Sequence, residues 1–164
     1  MGRALLILGW LATTGLLVTG LLGFQVSPES GIGLHLLVGL FSSLLILFSH
    51  CWIMFYLIGT GKAVKGAVAE HGLSPDLSAR TIEFKNRSYP WLLRAMGLVM
   101  ATFILGGGVA TRVRPSWVHA LLFALALAGQ IRSLLLEGEV ILANDRLMQQ
   151  VDAEIRTAEE SVVL

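Results

Sequence analysis

Three histidines lie inside or at the edge of long apolar runs: His35, His50 and His119. An ionisable side chain in a bilayer is costly and marks a functional site by default. Imidazole can ligate a metal, carry a proton or hydrogen-bond within a bundle. His35 and His119 each fall in the first turn or so of an apolar run. If those runs point the same way, the two rings lie at one depth. Two neutral imidazoles facing each other across a bundle are the axial ligand set of a haem b.

The faces support this placement. At about 100° per residue, His35 shares a stripe with Gly39, Ser42, Ile46, Ser49 and Ile53. His119 shares one with Phe123, Ala126, Gln130, Ser133 and Glu137. Both stripes are smaller and more polar than their surroundings, so both are expected to face the bundle interior. A porphyrin also needs room. Gly39, Gly107 and several other glycines crowd the same halves of the runs and could leave a slot. The plainer account of the glycines is close helix packing. The plainer account of the two histidines is that they are polar residues at helix starts.

His50 lies fifteen residues beyond His35, about 22 Å along a helix, and about 60° round from the first stripe. No second histidine sits at that depth. Met96 is at a suitable level for a mixed-ligand haem, but a hydrogen bond within the bundle, to Ser49 or to a neighbouring helix, is the simpler expectation. A third option groups His50, Arg94, Gln130 and Arg132 as a quinone or proton site, although arginines near span ends commonly snorkel. His71 follows "AVAE" and is expected to close a helix.

These residues need a scaffold. The chain has 164 residues, 55% hydrophobic and 14% charged, with a mean hydropathy of +0.75. An average soluble domain carries roughly 25% charged residues. So few charges cannot clothe a water-exposed surface but can build a lipid-facing one. Four segments reach the roughly 20 apolar residues that a span requires: about 4–24, 34–59, 91–109 and 117–136. The expected fold is an all-α integral membrane protein, a single domain with four transmembrane helices in an up-down bundle. The first run follows Met-Gly-Arg and could be mistaken for a signal peptide. It is long for one, and no A-x-A-like site follows, so it is read as a retained span.

Residues 61–90 form the long loop between the second and third spans, with the second helix extending into "KAVKGAVAEHG" until Gly72. Beyond the fourth span, Leu136, Val140, Leu147, Val151 and Ile155 recur at near-helical spacing among charges, predicting an amphipathic helix over 137–160. An up-down bundle brings these two extensions out on the same side, so they should pack on each other or on residues 73–90. Lys62, Lys65, Arg80, Lys85 and Arg87 load the long loop, and the loop after the first span has no basic residue. By the positive-inside rule both termini and the long loop are cytoplasmic, in what would be a bacterial inner membrane. Arg112 and Arg114 are a smaller opposing signal.

Several functions are disfavoured. "GTGKAVKG" lacks the first glycine and the final Ser or Thr of a phosphate loop. The net charge is +1, with no basic patch interleaved with aromatics, so nucleic acid is not an expected partner. The lone Cys51 permits no intrachain disulfide and no CxxC knuckle. No carboxylate pair is evident in the spans, and no internal repeat is apparent, which leaves little for a channel filter or a rocking transporter.

Two functions follow. The first is a non-catalytic accessory or anchor subunit of a larger membrane assembly, in contact with the lipid bilayer and with other membrane subunits or copies of itself. The second is a small b-type cytochrome, with haem between His35 and His119, in quinone-linked electron transfer. In arrangement only, the second resembles the haem-bearing membrane anchors of succinate dehydrogenase and fumarate reductase.

Overall fold

The computed structural model describes residues 2–27, 31–111, 113 and 115–163, with side chains to 160. Four helices follow one another: α1 Gly2–Gly23, α2 Ile32–His71, α3 Pro75–Ala110 and α4 Ser116–Val163. All four are long and apolar enough to cross a membrane. The fold is the expected all-α four-helix bundle. Arg112 and Arg114, which entered the charge argument, lie outside the described residues.

The helices run up and down with each chain neighbour packed on the next. α4 also packs on α1 and closes the ring, and α2 touches α4 across it. α1 and α3 make no comparable contact among the described residues. The short diagonal therefore joins the two helices that carry His35 and His119.

The long loop expected over 61–90 is instead a helical hairpin. α2 has 40 residues, about 60 Å at 1.5 Å per residue, roughly twice the hydrocarbon thickness. It ends at Gly72 with φ 63°, a left-handed value that glycine adopts without a Cβ penalty. Ser74 then caps α3, its hydroxyl accepting from the Asp76 amide, with Pro75 in the first turn. Pro90 lies inside α3, where a missing N–H would ordinarily favour a break. Packing overrides that preference. Leu77 on α3 joins Val64, Leu147 and Val151 in a buried cluster, and Leu92, just beyond the proline, has no exposed surface.

The amphipathic tail is the second half of α4, and its apolar stripe is used within the chain. Leu136 and Val140 pack with Leu5, Ile53, Leu57 and Leu92. Leu147 and Val151 pack at the hairpin. The extensions of α2 and α4 therefore meet each other and the start of α3, as the up-down order requires.

Polar and apolar layers alternate along the axis. From the histidine end come His35 and His119, then an apolar layer with Leu16, Ile46, Val99 and Ala126. A buried polar layer around His50 follows. The next apolar layer holds Ile53, Leu92 and Ile141. Tyr56, Thr60, Asn144 and Asp145 form a second polar layer before the hairpin cluster. There Tyr56 donates to Asp145 Oδ1 at 2.7 Å, Asn144 donates to the Tyr56 oxygen at 3.2 Å, and Thr60 donates to Asn144 Oδ1 at 3.1 Å.

Candidate functional site

The histidine end brings together the two residues expected to meet. The ring centroids of His35 and His119 are 6.2 Å apart, with planes at 88°. Both rings are half-buried. His35 Nδ1 donates to the backbone carbonyl of Thr19 at 3.0 Å. The Thr102 carbonyl faces the His119 ring in the corresponding way without a full hydrogen bond to Nδ1. Each threonine hydroxyl turns back on its own helix, Thr19 to Gly15 O at 2.8 Å and Thr102 to Leu98 O at 2.7 Å.

Glycines make the space for these rings. A Cβ on Gly106 would stand 3.0 Å from His119 Cε1, and one on Gly23 would stand 3.2 Å from His35 Cε1. Gly39 lines the same cavity and sits close to Thr19 Cγ2. Gly107, also expected at the site, faces open space, with nothing within 4 Å of its Cβ position. At about 100° per residue, one step along α3 moves the glycine face from the histidine to the outside. Gly106 is the glycine that serves the site.

An internal correspondence emerges here. Thr19 and Gly23 on α1, followed by His35 on α2, match Thr102 and Gly106 on α3, followed by His119 on α4. The expectation of no internal repeat is corrected to this extent. Comparing "TGLLG" with "TFILG" would have revealed it. The signal is weak because Thr and Gly, two of its three matched positions, are small residues common in membrane helices.

The donor set can be tested against a haem iron. An imidazole nitrogen lies about 1.1 Å from its ring centre and a metal–imidazole bond is about 2 Å, so two rings on one ion have centres about 6 Å apart. The observed spacing meets this. Donation by the second ring nitrogen to a carbonyl is the usual way a ligating histidine is oriented, and His35 has it. No group of three or more His, Cys, Asp or Glu side chains that could hold a metal occurs among the described residues. A bare ion here would have two protein ligands, whereas a macrocycle brings its own four. The enclosed space is about 40 Å³, which suits about one or two waters. A porphyrin is many times larger than this space, so the lining as it stands, with Leu36, Phe103 and Phe123, admits one only if it rearranges.

The second site is the layer around His50. The expected set of four separates into two pairs. His50 and Gln130 meet, with Nε2 and Oε1 2.8 Å apart. Arg94 and Arg132 lie elsewhere, each over the Trp91 ring, at 5.2 and 5.4 Å from its centroid. Both point outward because their positions on α3 and α4 fall off the buried stripes. The partner missing from the sequence reading is Glu137. Its Oε1 stands 2.7 Å from His50 Nδ1, and both side chains are 0% exposed. Ser133 donates to the same oxygen at 3.0 Å. Glu137 is on the His119 stripe, but the 3.6-residue period says nothing of which residue on another helix it faces.

The hydrogen bonds fix where the protons are. Thr13 donates its hydroxyl to Gly9 O at 2.8 Å, so it accepts from Gln130 Nε2 at 3.2 Å. Gln130 therefore turns Oε1 to His50, and His50 Nε2 must carry a proton. One further proton belongs to Nδ1 and Glu137 jointly. The pair is electrically neutral whichever partner holds it. The Nδ1 contact is close but not a well-aligned hydrogen bond, and Glu137 Oε2 has no partner among the described residues. Ser49 Oγ also has none, so of the two partners expected for His50 it is the neighbouring helix, through Gln130, that bonds it, and not Ser49. With both His50 nitrogens facing side chains, neither is free for a second haem with Met96.

Compared with known protein families, curated proteins and solved structures, the chain matches none.

Proposed function

We propose that this chain is a small membrane cytochrome that binds one haem b between His35 and His119 and serves quinone-linked electron transfer. The observation that carries the reading is the 6.2 Å spacing of the two rings across the α2–α4 diagonal. Bound there, the haem would supply one-electron chemistry. The chain's own part is to orient the ligands. Thr19 O holds the His35 Nδ1 proton, which leaves the ring's lone pair on Nε2, the nitrogen that would ligate. Gly23 and Gly106 let α1 and α3 approach the rings. The apolar layer of Leu16, Ile46, Val99 and Ala126 keeps water from the inner side.

A reduced-minus-oxidised spectrum of the protein expressed with ample haem tests this. The expected result is a Soret band that is lost in His35→Ala and in His119→Ala. Protein without a Soret band, or a band indifferent to His119→Ala, overturns the assignment.

An accessory or anchor role in a larger assembly is a second reading, and it is compatible with a haem-bearing bundle. The resemblance in arrangement to haem-bearing membrane anchors favours it. The amphipathic tail and packing glycines support it less, because they are largely satisfied within the chain. Retention of partner subunits through purification in mild detergent supports the role. A monodisperse chain that brings nothing with it counts against the role.

The basic residues of the hairpin support cytoplasmic termini in a bacterial inner membrane. In inside-out vesicles the tail around Arg156 should then be cut by added protease. Protection of that segment reverses the orientation.

A further inference from the structure

The geometry points to a binding site for the headgroup of an anionic phospholipid at Arg94, Arg132 and Trp91. The two guanidinium carbons lie 5.2 and 5.4 Å from the centroid of one indole, and they come from different helices. Trp91 is fixed from behind, packed against the core cluster that contains Leu92. The arginines themselves are exposed. Their neighbours Leu93, Ile131 and Leu135 are 55%, 37% and 52% exposed, which puts the pair at the edge of the lipid-facing belt.

Charge decides what must sit there. Two like charges held on one ring repel, and neither has a carboxylate within ion-pair distance among the described residues. The indole face offsets about 0.5–1 kcal/mol per cation at an exposed site, which does not replace a counter-ion. About two turns toward the hairpin Arg87 has its own partner in Glu139, and about four turns along Arg80 bonds Gln150 at 2.8 Å. Arg94 and Arg132 are thus basic residues at the edge of the apolar belt left without an anion by the chain. At that level the available anion is a lipid phosphate, and a guanidinium matches its geometry through paired N–H donors. Basic pockets between membrane helices select anionic headgroups on this principle.

Native mass spectrometry of the full chain, titrated with phosphatidylglycerol or phosphatidylcholine, tests the site. Each arginine near a membrane surface contributes roughly fivefold, so the expected preference for phosphatidylglycerol is about 25-fold. It should fall to near unity in the double variant R94Q/R132Q, with phosphatidylcholine retention unchanged. R94K/R132K keeps the charge and should retain only part of the preference. Equal retention of the two lipids by the unaltered chain overturns the proposal without any variant. So does displacement of phosphatidylglycerol by equimolar inorganic phosphate, which would mark a site for free phosphate rather than lipid. A double variant with undiminished preference overturns it as well.

Discussion

His50 Nδ1 stands 2.7 Å from Glu137 Oε1, and neither side chain has any surface open to solvent or lipid. This pair links α2 and α4 across the bundle beside the His50–Gln130 hydrogen bond, closed between two apolar layers. A buried pair of this kind adds little net stability over well-packed apolar residues, but removing one member strands the other's charge. Glu137→Leu and His50→Leu, made singly, are therefore each expected to cost about 3–5 kcal/mol. The double replacement His50→Leu with Glu137→Leu should recover most of that loss. Reversible denaturation of the four proteins in mixed micelles gives the cycle. If the double variant is as unstable as the sum of the two singles, the charge argument fails.

The glycines of α3 separate space-making from packing filler. Gly106→Ala places a methyl 3.0 Å from His119 Cε1, and Gly107→Ala meets nothing. The first should displace the His119 ring and weaken or shift the haem spectrum, while the second leaves it unchanged. A common response to both would show that the glycine run acts through backbone freedom.

With Gly2 and Gly20, Gly9 is one of the positions where α1 approaches α4. A Cβ there would come 2.5 Å from Leu134 Cδ2, and overpacking of this sort costs about 1–3 kcal/mol. Gly59 on α2 has nothing within 4 Å of its Cβ position, so Gly59→Ala should be neutral or stabilise by up to about 1 kcal/mol. Thermal unfolding followed by helicity distinguishes the two, and equal midpoints would contradict the packing described.

Leu147 is fully buried against Val64 and Leu77. Leu147→Ala should cost about 2–5 kcal/mol and loosen the hairpin end first. Limited proteolysis should then cut between about 145 and 160 well before the span region. Unchanged protection would mean that another contact holds the tail.

Much of this architecture is legible in the sequence. The four apolar runs give the spans, because the hydrocarbon thickness sets a length that few soluble segments reach. Gly72 gives the end of α2. The stripes through His35 and His119 give the inward faces, and their small and polar members from Ser42 to Glu137 are indeed buried. The spacing of Leu136, Val140, Leu147 and Val151 gives the packed face of the tail. Each of these is periodic or local, and a helix repeats its face every 3.6 residues whatever it packs against.

Other features belong to the tertiary structure alone. Residues 75–90 are helical because Leu77 and Leu92 are packed by other elements, which overrides the break that Pro90 suggests. Gly106 rather than Gly107 serves the histidine site, because 100° of helix rotation matters only once a neighbour is in place. The pairing of His50 with Glu137, 87 residues apart in the chain, and the separation of both from Arg94 and Arg132 depend on which faces of α2, α3 and α4 meet. The sequence by itself determined four inward-facing helices and the depth of their histidines. The rotation and register of one helix against another, and with them every polar partner, were decided by packing across the bundle.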